Sequence, residues 1–179
     1  MRVFQDVFTD EEFMSETYKF ELAYEEAIMK VGSTYKKKEA VGNVDIGCGN
    51  AFGGSNEDEE EGGSAPGEEP QEKVIDIAYN FGLCEQSLSK ADFMGYIKEY
   101  CKKLKLKLTE TNPSRVDGFM KGIGAFIKQV VGENFNDYVF YTGSKETLDG
   151  GIAISYWEDE SAAGPMFYFF RDGLKEIKY

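Results

Sequence analysis

The chain's ionic side chains are sorted by sign. Nine of its 20 lysines and arginines lie between Lys90 and Lys128 beside only four acidic residues, although the formal net charge of the whole is −13. That segment carries +5 and the remainder −18. Lys98, Lys102, Lys103, Lys105 and Lys107, followed by Arg115, Lys121 and Lys128, suit one kind of chemistry: attraction of an anionic surface, with a strength that falls as salt rises. Asp10-Glu11-Glu12 offers the opposite sign near the start. Clustered charge produces a directional field that steers partners, whereas scattered charge serves only solubility. Each group also has a plainer reading, the lysines as a solvated helix face and the carboxylates as an acidic turn.

Other chemistries are removed by composition. Histidine is absent, which excludes Ser-His and Cys-His nucleophiles, His-ligated zinc and the ordinary general base of neutral pH. Cys48, Cys84 and Cys101 are odd in number and contain no CxxC pair, so free thiols are expected in place of a disulfide framework or zinc ribbon. The acidic balance argues against duplex nucleic acid as the main partner, because phosphate binding rests on Lys and Arg. The glycines around Gly47 and Gly53 do not form a phosphate-binding loop, and Gly47-Cys48-Gly49 has no helix after it. No stretch reaches the ~18 uninterrupted apolar residues of a membrane span, and the start lacks a basic and apolar leader pattern. A soluble, cytoplasmic protein is the expectation.

The elements that must position these groups can be read from periodicity. A length of 179 residues with 41% hydrophobic and 15% aromatic content is enough for one buried core, so residues 1–179 are expected to form a single domain. Met1 to Val7, Tyr18 to Leu22, Ala27 to Val31 and Tyr35 to Ala40 read as short antiparallel strands. Residues 42–72 carry eight glycines, two prolines and the block Glu57-Asp58-Glu59-Glu60-Glu61, and read as a flexible acidic loop. Val74 to Phe81 returns to strand character, ended by Gly82.

Residues 89–131 read as a helical hairpin. Ser89 with Asp92 makes a capping box, and Phe93, Met94, Ile97, Cys101, Leu104 and Leu108 recur at helical spacing. Asn112-Pro113 supplies an N-cap and N1 proline for a second helix with the stripe Val116, Phe119, Met120, Ile123, Ile127, Val130 and Val131. Asp137 to Thr142, Gly151 to Trp157 and Met166 to Arg171 follow as strands. Strands on both sides of a helical hairpin define an α+β class with antiparallel sheets. Tyr156, Trp157, Phe167, Phe169 and Phe170 alternate on those strands and read as core, as does Cys101 on the first helix.

Several of these patterns, taken in order, resemble one family, the translationally controlled tumour proteins. MRVFQDVFTDEE resembles the family's opening strand and acidic turn, and Gly42-Asn43 with Ile46-Gly47-Cys48-Gly49-Asn50-Ala51 resembles its first signature ahead of an acidic loop. Val74-Ile75-Asp76-Ile77, Tyr96-Ile97-Lys98-Glu99-Tyr100 and Phe169-Phe170-Arg171-Asp172-Gly173-Leu174 match later segments. The sequence departs from the pattern at Ser144, which follows Phe140-Tyr141-Thr142-Gly143 where the family usually has a glutamate, at Ala51-Phe52-Gly53, and at Tyr179 in place of a terminal cysteine.

The resemblance implies a β-tent core with a projecting helical hairpin and a long mobile loop. It implies a non-enzymatic cytoplasmic protein of growth and survival signalling that contacts tubulin, translation elongation factors and a Ras-family small GTPase, and that binds calcium weakly. Glu12 matches the family position tied to the GTPase, where a carboxylate could loosen nucleotide by approaching the P-loop lysine or magnesium site. Guanine-nucleotide exchange through Glu12 is the alternative reading to simple binding. Lys98, Lys102, Lys103, Lys105, Lys107 and Arg115 suit acidic tubulin tails or another acidic protein, and the Glu57 to Glu61 loop of the chain itself competes for the same role. Asp45, Asn56, Glu57, Asp58 and Glu59 offer hard oxygen ligands for weak calcium, yet no EF-hand loop pattern is present, and a solvated loop explains the same residues.

Overall fold

A computed structural model describes residues 1–37, 73–132 and 134–179. The chain divides into two compact units, one made of Met1–Thr34 with Ile75–Tyr179 and the other of Tyr35–Val74. β5 (Tyr35–Lys37) pairs with β6 (Lys73–Ile75) in a two-stranded sheet, all of which except Ile75 belongs to the smaller unit.

The larger unit is α+β. Its strands β1 (Arg2–Asp6), β2 (Glu12–Ser15) and β11 (Leu174–Lys178) form a three-stranded sheet in the order β11-β1-β2. A six-stranded sheet follows the order β3-β4-β10-β9-β8-β7, from β3 (Phe20–Ala23), β4 (Ile28–Gly32), β10 (Met166–Phe170), β9 (Ala153–Tyr156), β8 (Val139–Thr142) and β7 (Cys84–Gln86). Both sheets are antiparallel, with Phe169 opposite Met29 and Ala153 in the centre of the larger one.

The larger sheet is covered on both faces, which explains its unbroken apolar strands. Side chains alternate sides along a strand, so Ile28, Phe140, Ile154, Tyr168 and Phe170 enter one core while Met29, Val31, Tyr141, Ala153, Phe167 and Phe169 enter another. The first core is closed by α2 (Lys90–Thr111) and α3 (Val116–Gly132), through Phe93, Ile97, Tyr100, Leu104 and Leu108 of one and Phe119, Ile123, Phe126 and Val130 of the other. The second is closed by Phe4, Phe13, Met14 and Leu174 of the smaller sheet and by Ile77. Burying each of these large side chains contributes roughly 2–3 kcal/mol against exposure, before chain entropy is set against it.

The strand expected over Val74 to Phe81 ends at Ile75, and Asp76–Phe81 forms a short helix, α1. Local and tertiary contacts outweigh the β-branched propensity there. The Asp76 carboxylate accepts the N–H groups of Thr34 at 3.0 Å and Ile77 at 2.8 Å, while Ile77 is fully buried. Gly82, at φ 65°, turns left-handed and donates its N–H to the Ala78 and Tyr79 carbonyls, a helix ending that suits a residue without a Cβ.

The joint of the hairpin also differs from expectation. Asn112 stands at the N-cap with Pro113 at N1, but of the 3-10 turn Pro113–Arg115 that precedes α3; its N–H closes α2 on the Leu108 carbonyl at 2.7 Å, and its side-chain oxygen makes no cap bond and accepts the Ser114 hydroxyl at 2.8 Å instead. Met120, expected on the inner stripe of α3, is 42% exposed, and Phe126 fills that stripe in its place. Among the described residues, no helix is long and apolar enough to cross a membrane.

Candidate functional site

The basic surface is built on α2. Ser89 caps it in both directions, accepting the Asp92 N–H at 3.1 Å while its own N–H reaches the Asp92 carboxylate at 3.4 Å, and this holds the first turn in register. From that start, Lys98, Lys102 and Lys105 fall four and three residues apart, on one exposed face opposite the buried stripe.

Lys103 and Lys107 are turned to the inside edge of that surface. Lys103 Nζ donates to the Asp149 carbonyl at 2.7 Å and lies 4.9 Å from the centre of the Phe8 ring. Lys107 Nζ donates to the Val7 carbonyl at 3.0 Å and lies 5.3 Å from the same ring. Both ammonium groups thus hold Phe8 against the helix by cation–π attraction, while Lys107 adds a charge-assisted hydrogen bond to the turn after β1 and Lys103 one to the loop before β9.

Arg115 is engaged as well. Its guanidinium binds both oxygens of Asp172, which raises its pKa, and also the Glu25 carbonyl at 3.1 Å. Of the seven residues read as partner contacts, Lys98, Lys102, Lys105 and Glu12 therefore present their charge outward, while Lys103, Lys107 and Arg115 hold segments of the chain together.

The three acidic residues after β1 have three different environments. Asp10, at φ 61°, pairs with Lys175, whose hydrogen bond and charge draw the carboxyl pKa down. Glu11 is only 6% exposed, and one of its oxygens accepts the Lys145 N–H at 2.7 Å and the Ser144 hydroxyl at 3.4 Å. The hydroxyl of Ser144 suits that carboxylate as a donor, whereas a glutamate there would place a like charge beside it. Glu12 opens β2 with its side chain exposed and accepts one hydrogen bond, from the Tyr179 hydroxyl at 3.3 Å.

Asp6 organises this turn. Its carboxylate is 1% exposed and accepts the N–H groups of Phe8, Thr9 and Gly151 at 2.9, 2.8 and 2.8 Å and the Thr9 hydroxyl at 3.1 Å. An aspartate with a threonine three residues on is the local signal for such a side-chain turn. Its long-range donor, Gly151, leaves no trace in the sequence.

The calcium candidates Asp45, Asn56, Glu57, Asp58 and Glu59, together with Asn50 and Cys48, lie outside the described residues. Among the described residues no three His, Cys, Asp or Glu side chains are placed to hold a metal. Cys84 and Cys101 are free thiols, both partly buried, and burial pushes Cys101 up to about 11.

The family model described as "Translationally controlled tumour protein" matches residues 1–175. A homologue from Mycosarcoma maydis is 35% identical over 99% of both chains, and a homologue from Dictyostelium discoideum is 34% identical over the whole of both. The solved structure of the tumour-associated protein p23fyp from Schizosaccharomyces pombe superposes with a TM-score of 0.78 at 31% identity, covering all of both chains. The Caenorhabditis elegans structure, at 24% identity and a TM-score of 0.64, covers all of this chain and 99% of its own and shares the fold. With a match of this length, the order of strands and hairpin and these relatives in agreement, the chain belongs to the translationally controlled tumour protein family.

Proposed function

We propose that this protein works as a binding protein, docking an acidic protein surface on the outer face of α2. The observation that carries the reading is the column Lys98, Lys102 and Lys105, exposed on one helix face of a molecule whose net charge is −13. Three cations held on a rigid helix meet carboxylates without first having to gather, and the surrounding acidity turns away anions that cannot reach the column. Acidic tubulin tails are the partner of first choice, and acidic regions of elongation factors fit the same chemistry, in keeping with a cytoplasmic role in growth and survival signalling. Weak calcium binding by residues 45 and 56–59 belongs to the same reading.

The test is co-sedimentation with microtubules. Reversing Lys98, Lys102 and Lys105 to Glu should abolish pelleting, and raising the salt should weaken the wild type in step. Undiminished pelleting of the triple variant refutes the docking face.

A second reading, nucleotide exchange on a Ras-family GTPase through Glu12, is favoured by one observation. Of Asp10, Glu11 and Glu12, only Glu12 is exposed with no cation paired to it among the described residues. Glu12→Val should abolish accelerated nucleotide release if this carboxylate acts on the nucleotide site. An unchanged rate leaves binding alone.

A further inference from the structure

The seam between α2 and α3 on the side away from the sheet is apolar along its floor and basic along both walls. Each helix is oriented by what one of its flanks touches. On α3, Gly118 comes against Arg115 and the Glu25 carbonyl, and Gly122 against the Tyr24 carbonyl and Ala27, so that flank meets the turn between β3 and β4. On α2, Tyr96, Lys103 and Lys107 donate to the Gly150, Asp149 and Val7 carbonyls, so that flank meets the loops beside β9 and β1. The remaining flanks face each other. They carry Met94 and Cys101 on α2, and Met120, Gly124, Ile127 and Val131 at four- and three-residue spacing on α3.

These residues are only partly covered. Met94, Cys101, Ile127 and Val131 are half-buried against the core beneath the helices, and Met120 is 42% exposed. A Cβ on Gly124 would have nothing within 4 Å, so the floor dips there. The walls are lysines one helical turn from a floor residue: Lys98 between Met94 and Cys101, Lys105 after Cys101, and Lys121 and Lys128 on either side of Gly124, all four exposed. Asp92, Glu99 and Glu110 fall on the other flank of α2, with Lys103. Of the described acidic residues of the hairpin only Asp117, near its tip, falls on the seam side.

We infer that this seam receives an amphipathic helix from an acidic partner protein, its apolar face on the floor and a row of carboxylates along each wall. Lysines on both sides of an apolar strip complement that distribution of charge, and a rimmed apolar strip of this kind marks an interaction site. A segment laid across two helices meets no free backbone groups, so it must close its own hydrogen bonds, as a helix does. From Met120 to Val131 the floor runs about 16 Å, or roughly three turns. The two lysines of each wall are seven residues apart and match carboxylates at the same interval on the incoming helix. The dip at Gly124 accepts one large apolar side chain. This inference rests on the reading of α2 as a docking face for an acidic surface and extends it: α3 shares in the contact, and the partner segment carries an apolar face.

The probe is a fluorescently labelled synthetic peptide of about 18 residues, with leucines at helical spacing and glutamates along both edges, titrated with the intact chain and read by anisotropy. A peptide of the same composition in scrambled order is the control. The amphipathic peptide should bind at least about tenfold more tightly than the scrambled one and gain helical circular dichroism in the complex. Gly124→Gln fills the dip without changing charge, and Met120→Ser removes a contact at a position already open to water; each should weaken binding about tenfold and leave its salt dependence unaltered. Lys121→Glu with Lys128→Glu should weaken it about as much and flatten the salt dependence. Equal binding of the two peptides, or wild-type affinity in both floor variants, overturns the inference, even where reversal of Lys98, Lys102 and Lys105 abolishes microtubule pelleting. Undiminished pelleting of that triple variant beside tight, Gly124-sensitive peptide binding would instead remove the microtubule reading and keep the seam.

Discussion

Arg115 grips Asp172 through two parallel hydrogen bonds, Nε to Oδ1 at 3.0 Å and Nη2 to Oδ2 at 2.9 Å, and so ties the joint of the helical hairpin to the turn that follows β10. The Asp172 side chain is 8% exposed, so its charge depends on this partner. Arg115→Ala is expected to cost about 2 kcal/mol in urea unfolding, because a nearly buried carboxylate loses its charge-assisted bonds. Arg115→Lys should recover less than half of that, since one ammonium cannot reproduce the planar fork. Full recovery by lysine would show that charge alone, without the paired geometry, holds the joint.

Two glycines of α3 should respond to alanine with opposite sign. At Gly122 a Cβ would run into the Tyr24 carbonyl and the Ala27 side chain, so the helix passes that turn at backbone distance. Gly122→Ala should destabilise by about 1–3 kcal/mol through overpacking. Gly124 has nothing within 4 Å of such an atom, and Gly124→Ala should stabilise by about 0.5–1 kcal/mol through lower chain entropy. Thermal melts of the two variants shifting the same way would contradict this account.

The Cys101 thiol offers a check by pH. Burial raises its pKa to about 11, so the folded state holds this proton more tightly than the unfolded chain does. Its contribution to stability is complete below the ordinary thiol value and fades as pH climbs from there through about 11. In a Cys48→Ser, Cys84→Ser background, alkylation of Cys101 by iodoacetamide should show a midpoint near 11. A midpoint at the ordinary thiol value would place the side chain in water.

The hairpin is the most legible part of this protein. Its capping box, its three- and four-residue spacing and the prolyl joint are all local, and the α2 stripe from Phe93 to Leu108 follows them closely. The central strands were readable for a similar reason, since Met166–Phe170 is apolar on both faces. The short strands β2, β7 and β11 were not, because Cys84–Gln86 or Leu174–Lys178 becomes a strand only by finding a neighbour. Asp76–Phe81 looks extended by composition and is helical because Asp76 and Gly82 close both of its ends.

Charge segregation is a property of the amino-acid sequence: no folding can move the nine cations of Lys90 to Lys128 away from one hairpin. Which of those cations bind other segments of the chain was decided only in three dimensions. Lys103 and Lys107 found the backbone carbonyls of Asp149 and Val7, and Arg115 found Asp172, all 46 or more residues distant. The physical reason is that helical spacing orients a side chain about its own axis, whereas the acceptor it meets belongs to a segment brought there by burial of the two cores.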